Sequence, residues 1–183
     1  LEMHLFRKQY PPRAVRVPAK QDVRFKVYRY GEPMMLSAVL PVLHSLGVQV
    51  VDERPYEVQR RDGRVWLYDF GLELPAGHRE LAEVRTNVEN AFAAAWRGET
   101  EVDAFNQLVL HGGLTWRQVV VLRAYAKYLR QAGTVFSQEY MESTFVTYPD
   151  LAALLVALFE ARFAPDGPAD PAERDARARE LVD

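Results

Sequence analysis

The sequence predicts an α+β chain in which a β-α-β-β-α unit is followed by an all-helical segment. Three observations predict it. From Arg24 to Tyr30 apolar and polar residues alternate with the period of a strand. Asp62-Gly63 is a hairpin signal between two further strand-like runs. From Leu81 onward the period becomes helical, with Leu81, Val84, Val88, Ala91, Phe92 and Ala95 on one face.

The elements follow in order. Residues 1–21 hold Pro11, Pro12 and Pro18 among scattered basic residues and read as a lead-in with room for a short strand before Tyr10. An α/β domain spans 22–98. Its first strand stops at Gly31-Glu32-Pro33. Ser37 suits the N-cap of the next helix, because its hydroxyl can accept from a free first-turn N–H. Pro41 is tolerated near that first turn, where no intrahelical donor is required. Val39, Leu40, Leu43 and Leu46 form the apolar stripe, and Gly47 suits a left-handed stop. Val48 to Val58 reads as a strand with Pro55 limiting its pairing, and Arg64 to Leu72 as its partner. The last strand of a ferredoxin-like β-α-β-β-α-β unit is not visible after Gly98. Either it is missing or the N-terminal segment supplies it.

The helical segment spans 99–164. Thr100 and Asp103 can open a helix that Gly112-Gly113 closes. Thr115-Trp116-Arg117-Gln118 is a capping box, with Leu114 and Val119 placed as its hydrophobic staple. Ser137 can cap a short helix, and Leu151, Leu154, Leu155, Leu158 and Phe159 mark another. Residues 165–183 form a linker and the start of a charged, Ala-rich helix, and the whole reads as a piece of a longer protein.

Composition excludes several function classes. The chain has 183 residues, 49% hydrophobic and 26% charged, with a net charge of -2. No global field draws it to nucleic acid or an anionic membrane. Cysteine is absent, which removes disulfides, thiolate metal sites and cysteine nucleophiles and fits a reducing, cytoplasmic setting. No apolar run approaches the roughly 20 residues needed to span a bilayer, and Leu1-Glu2-Met3-His4 does not open a signal peptide. Isoleucine is missing, and lysine occurs only at Lys8, Lys20, Lys26 and Lys127, a bias of GC-rich bacterial genomes.

Candidate catalytic groups are weak. No Gly-x-Gly-x-x-Gly cradle for a dinucleotide occurs, and Gly112-Gly113 lies between helices as a turn. His4, His44, His78 and His111 have no partners at metal-ligand spacing. Asp52 and Glu53 are adjacent on a strand and point to opposite faces, so salt bridging or solvation suits them better than acid/base chemistry. Asn106, Arg117, Arg123, Tyr125, Lys127 and Gln131 form a polar set best read as helix packing with long Arg stems on apolar surface. The strongest lead is aromatic. Alternation puts Tyr28 and Tyr30 on one face of their strand, and Trp66, Tyr68 and Phe70 on one face of theirs. If those faces coincide, the sheet carries an aromatic protein-contact surface. RNA stacking is the alternative use of such a face, disfavoured by the lack of a basic track.

Two blocks carry a resemblance. The first comprises Tyr28-Arg29-Tyr30-Gly31-Glu32-Pro33, Leu36 to Leu43 and Leu46 to Tyr56. The second comprises Ala91-Phe92, Trp96 to Glu99, Asp103, Phe105-Asn106, Leu108 to Leu110, Gly113 to Arg117, Val121 to Tyr125, Lys127 to Leu129, Gln131 to Gly133 and Phe136 to Tyr140. Both resemble the non-catalytic N-terminal region of the large bacterial NAD-specific glutamate dehydrogenases. The resemblance implies an ACT-like domain followed by a helical motif, belonging to a parent that oxidises glutamate to 2-oxoglutarate and ammonia. It implies NAD in the parent and no cofactor, catalytic residue or metal in this segment. The implied roles are assembly, domain positioning or allosteric control, with other domains and subunits as partners. The ACT-like reading also implies a candidate amino-acid effector turn at Gly31, Glu32, Pro33 and Ser37. Its Gly31-Glu32-Pro33-Met34 departs from the Asp-x-Pro-Gly of ligand-binding ACT domains.

Overall fold

The computed structural model describes residues 1–7 and 23–182. A four-stranded antiparallel sheet is built from β1 (Glu2–Arg7), β2 (Val23–Tyr30), β3 (Gln49–Arg60) and β4 (Gly63–Glu73), in the order β1-β2-β4-β3. Helices α1 (Leu36–Ser45) and α2 (Leu81–Trp96) cover one face of it. The α+β, ACT-type fold is therefore present, and the fourth strand comes from the N-terminus. β1 pairs with β2 at the sheet edge, Leu5 opposite Phe25. The Leu5 N–H is held by the Glu89 carboxylate of α2 at 2.8 Å.

The helical part follows. A 3₁₀ turn (Ala104–Gln107) leads into α3 (Leu108–His111), α4 (Trp116–Gln131), α5 (Gln138–Thr147), α6 (Pro149–Phe163) and α7 (Pro171–Glu180). The run expected to be one helix from Thr100 or Asp103 is thus a 3₁₀ turn and a single α turn. Thr115 caps α4 as a true capping box, accepting from Gln118 N while its own N–H donates to the Gln118 side chain at 2.9 Å. Ser37 does not cap α1. Met35 occupies the N-cap position without a side-chain bond, and Ser37 lies inside the helix. Met35 keeps the extended backbone of an N-cap (φ -81°, ψ 129°), so the helix already begins at Leu36, ahead of Ser37.

A single apolar core runs through both parts, from Leu5, Phe25 and Phe70 to Phe105, Leu122 and Val156. Strand register decides which aromatics join it. Tyr68 stands opposite Val27 and Phe70 opposite Phe25, whereas Tyr28 stands opposite Leu67 and Tyr30 opposite Val65. Directly paired residues share a face. Trp66, Tyr68 and Phe70 therefore face the helices, and Tyr28 and Tyr30 face away. The five rings do not form one surface. Phe25 and Val27 pack under the helices, whereas Val65 and Leu67 share the outward face with Tyr28 and Tyr30. Alternation alone leaves the phase of one strand against its neighbour undetermined, and that phase was the missing information.

Candidate functional site

The β2–α1 turn is the candidate site, and β4 holds it from below. Gly31 has φ 87°, a left-handed conformation that glycine adopts without strain. Its N–H donates to Arg64 O at 2.9 Å. Its carbonyl accepts from the Trp66 indole N–H at 3.0 Å. Three residues on, the Met34 N–H donates to the Tyr68 hydroxyl at 2.8 Å. Met34 itself is buried in the core, while Glu32, Pro33 and Ser37 are exposed. The candidate effector turn and the β4 aromatics, distant in the sequence, are one structure. Trp66, Tyr68 and Phe70 stack successively along β4, with ring centroids 6.4 and 6.2 Å apart.

This arrangement has a chemical consequence. A ligand carboxylate at this turn would draw on backbone N–H groups near the helix start. The Met34 donor is already satisfied by Tyr68, and the Gly31 carbonyl by Trp66. The turn is braced rather than open at these two atoms.

At the other end, α1 is fastened to the helical part by buried polar groups. Ser45 Oγ accepts from Asn106 Nδ2 at 3.1 Å and donates to the Val42 carbonyl at 2.8 Å. Asn106 Oδ1 accepts from Arg123 Nη2 at 3.0 Å. Arg123 also grips Asp103 through two bonds of 2.6 and 2.7 Å and reaches the Thr100 hydroxyl at 3.0 Å. Arg123 is only 3% exposed. The whole side chain is therefore buried, guanidinium included, and it is held by an ion pair as well as by the stem packing expected for this polar set. Asp103 opens no regular α-helix and instead pairs with Arg123, and nothing in their spacing marks the pair. The other members of the set are dispersed: Arg117 lies over the Trp116 ring, and Lys127 pairs with Glu101.

A second ionic cluster pins the outward sheet face. Arg24, 1% exposed, bonds Asp69 Oδ1 at 2.8 Å, Asp52 Oδ1 at 2.7 Å and the Asp69 carbonyl at 2.7 Å. Burial acts to lower the Arg24 pKa, but the hydrogen bonds it donates to Asp69 and Asp52, with the charges of both carboxylates, outweigh burial and move it up. Gly71 makes room for this. A Cβ there would come within 2.6 Å of both Arg24 Nη1 and Asp52 Oδ2. A bulge between Val50 and Asp52 sets the phase that points Asp52 at Arg24. Asp52 is thus a strand-linking ion-pair partner, and Glu53 opposite Phe70 lies on the other face. Among the described residues, no group of three His, Asp or Glu side chains could hold a metal ion.

Comparison with known proteins accounts for both parts of the chain. Residues 1–85 match the model for the glutamate dehydrogenase ACT3 domain, and residues 100–165 match that for glutamate dehydrogenase helical motif 3. An NAD-specific glutamate dehydrogenase of Halomonas elongata is 42% identical over 165 residues, covering 88% of this chain and 10% of the relative. That of Mycobacterium tuberculosis is 46% identical over 155 residues, covering 81% and 10%. That of Pseudomonas aeruginosa is 38% identical over 146 residues, covering 79% and 9%. The chain spans about a tenth of the length of these relatives.

Proposed function

Because this chain belongs to the large NAD-specific glutamate dehydrogenase family, we propose that it is a non-catalytic scaffold and regulatory segment of such an enzyme. Its parent acts in the cytoplasm, converting glutamate to 2-oxoglutarate and ammonia with NAD. The segment positions neighbouring domains and subunits and takes no part in hydride transfer.

One observation supports this reading above the others. The ACT-like domain and the helical motif are locked through Ser45, Asn106, Arg123 and Asp103, so α1 is held at both ends. A part built this way transmits position. On this reading a dinucleotide binds elsewhere in the parent. It needs a glycine-rich strand-to-helix turn whose amides face the pyrophosphate, and the turn here has its Met34 amide and Gly31 carbonyl bonded to β4. That bonding supports placing NAD in other domains of the parent. No single helix among the described residues is long and apolar enough to cross a membrane.

The test is excision of residues 1–165 from the full-length parent. The expected result is loss of assembly or of kcat with NAD affinity retained. A truncated enzyme that assembles, responds to effectors and turns over as before would rule out the scaffold role, and one that no longer binds NAD would move the cofactor site here. The amino-acid effector reading at Gly31, Glu32, Pro33 and Ser37 is tested by titration calorimetry with an amino-acid panel.

A further inference from the structure

We infer that the groove between α4, α5 and α6 seats an amphipathic helix from another part of the same parent polypeptide, carrying a carboxylate opposite Arg162. The inference rests on the reading of the chain as one segment of a large glutamate dehydrogenase.

The groove encloses a cavity of about 330 Å³ with almost wholly apolar walls. Tyr125 and Leu129 line it from α4, one turn apart. Leu155, Phe159 and Phe163 line it from α6, spaced i, i+4 and i+8. Such spacing makes a straight ridge about 12 Å long, the rise of roughly two helical turns. The ridges are fixed against each other. Tyr125 meets Phe159 edge-on at 6.1 Å, and Phe159 meets Phe163 at 5.2 Å. An apolar groove walled by two such helices accepts the apolar face of a third.

The exposure is too great for a finished surface. Tyr125 is 49% exposed, Leu129 48% and Phe163 59%, side by side. A contiguous patch of this kind marks an interaction site. The chain's own last helix does not fill it. The cleft between α6 and α7 is lined by Ala157, Ala161 and Ala164, a different face of α6.

Two facts select the occupant. Arg162 is the one charged group in the lining, and its guanidinium forms no ion pair with a described carboxylate. An apolar ridge followed by an acidic side chain complements it, whereas a basic or uncharged helix leaves the cation facing a partner without a counter-charge. The relatives extend over about ten times the matched length. A helix on the same polypeptide meets the groove at an effective concentration on the order of millimolar, far above that of a free protein.

The experiment uses the full-length parent with p-benzoylphenylalanine at position 163, prepared as a mixture of isotopically heavy and light protein. Cross-links should be purely heavy–heavy or light–light, and should land on an apolar helix outside the matched tenth with Asp or Glu within one turn. Arg162→Glu should lower the yield roughly tenfold, while Arg162→Lys retains most of it. Mixed heavy–light products would assign the groove to a second copy and overturn the inference. So would no cross-link at all, with Tyr125 oxidised by hydroxyl radicals as fast as in a free peptide. Glutamate turnover is measured on the same preparation. An active enzyme with an open groove overturns only the groove; a protected groove without turnover supports it and counts against the functional reading.

Discussion

The Tyr68 hydroxyl accepts the Met34 N–H at 2.8 Å, joining the middle of β4 to the start of α1. Tyr68 is a core residue whose hydroxyl reaches the candidate effector turn. Replacing Tyr68 with Phe keeps the ring and strands a buried amide. The expected cost is about 1–3 kcal/mol, measured by denaturant unfolding. A variant as stable as the parent would show that the turn does not depend on this bond.

Gly71→Ala should be destabilising although Ala suits a strand better than Gly. Its Cβ would lie 2.6 Å from both Arg24 Nη1 and Asp52 Oδ2, so the guanidinium or β3 must move. Overpacking of this kind costs roughly 1–3 kcal/mol. A crystal structure of the variant should show the Arg24–Asp52 bond lengthened or broken.

Arg123→Ala should be among the most damaging single changes in the helical part. It removes the partners of Asp103 and Asn106 together, leaving a largely buried carboxylate without its cation. Loss of one member of a buried ion pair costs about 3–5 kcal/mol. Because Asn106 also bonds Ser45 of α1, hydrogen exchange should quicken at the end of α1 as well as in α4. Protection lost in α4 alone would mean that the network does not join the two parts.

The α4 helix offers a graded pair. Thr115→Ala removes the cap and should cost on the order of 1 kcal/mol. Leu122→Ala empties a buried site and should cost roughly 2–5 kcal/mol. Thermal or denaturant melts giving the reverse order would contradict the packing described here.

Burial pushes the Glu53 carboxyl above the usual carboxylate range. A raised folded-state pKa means that its contribution to stability is full below the unfolded pKa and is lost as pH rises through the folded one. Glu53→Gln should therefore be neutral or stabilising at neutral pH, with the difference vanishing in acid. Melts across that range check it, and a variant destabilised only at neutral pH would reverse the sign.

The sequence by itself determined what is local and periodic. Alternation gave β2 and β4, helical spacing gave α2, and the Thr115–Gln118 box marked the start of α4 through groups three residues apart. The family was legible too, because its motifs are runs of neighbouring residues. Tertiary structure alone decided the relations between distant segments. It placed β1 at the edge beside β2, and set the strand phase that buries Tyr68 and Phe70 while turning Tyr28 and Tyr30 outward. It also brought Arg24 to Asp52 and Asp69, and Arg123 to Asp103. The physical reason is common to all of these. A strand's period of two is identical in either phase, and an ion pair between residues 20 or 28 positions apart has no repeat to betray it. Only the chain's collapse onto a single core, which ranks one phase above the other by the apolar surface it buries, supplies that information.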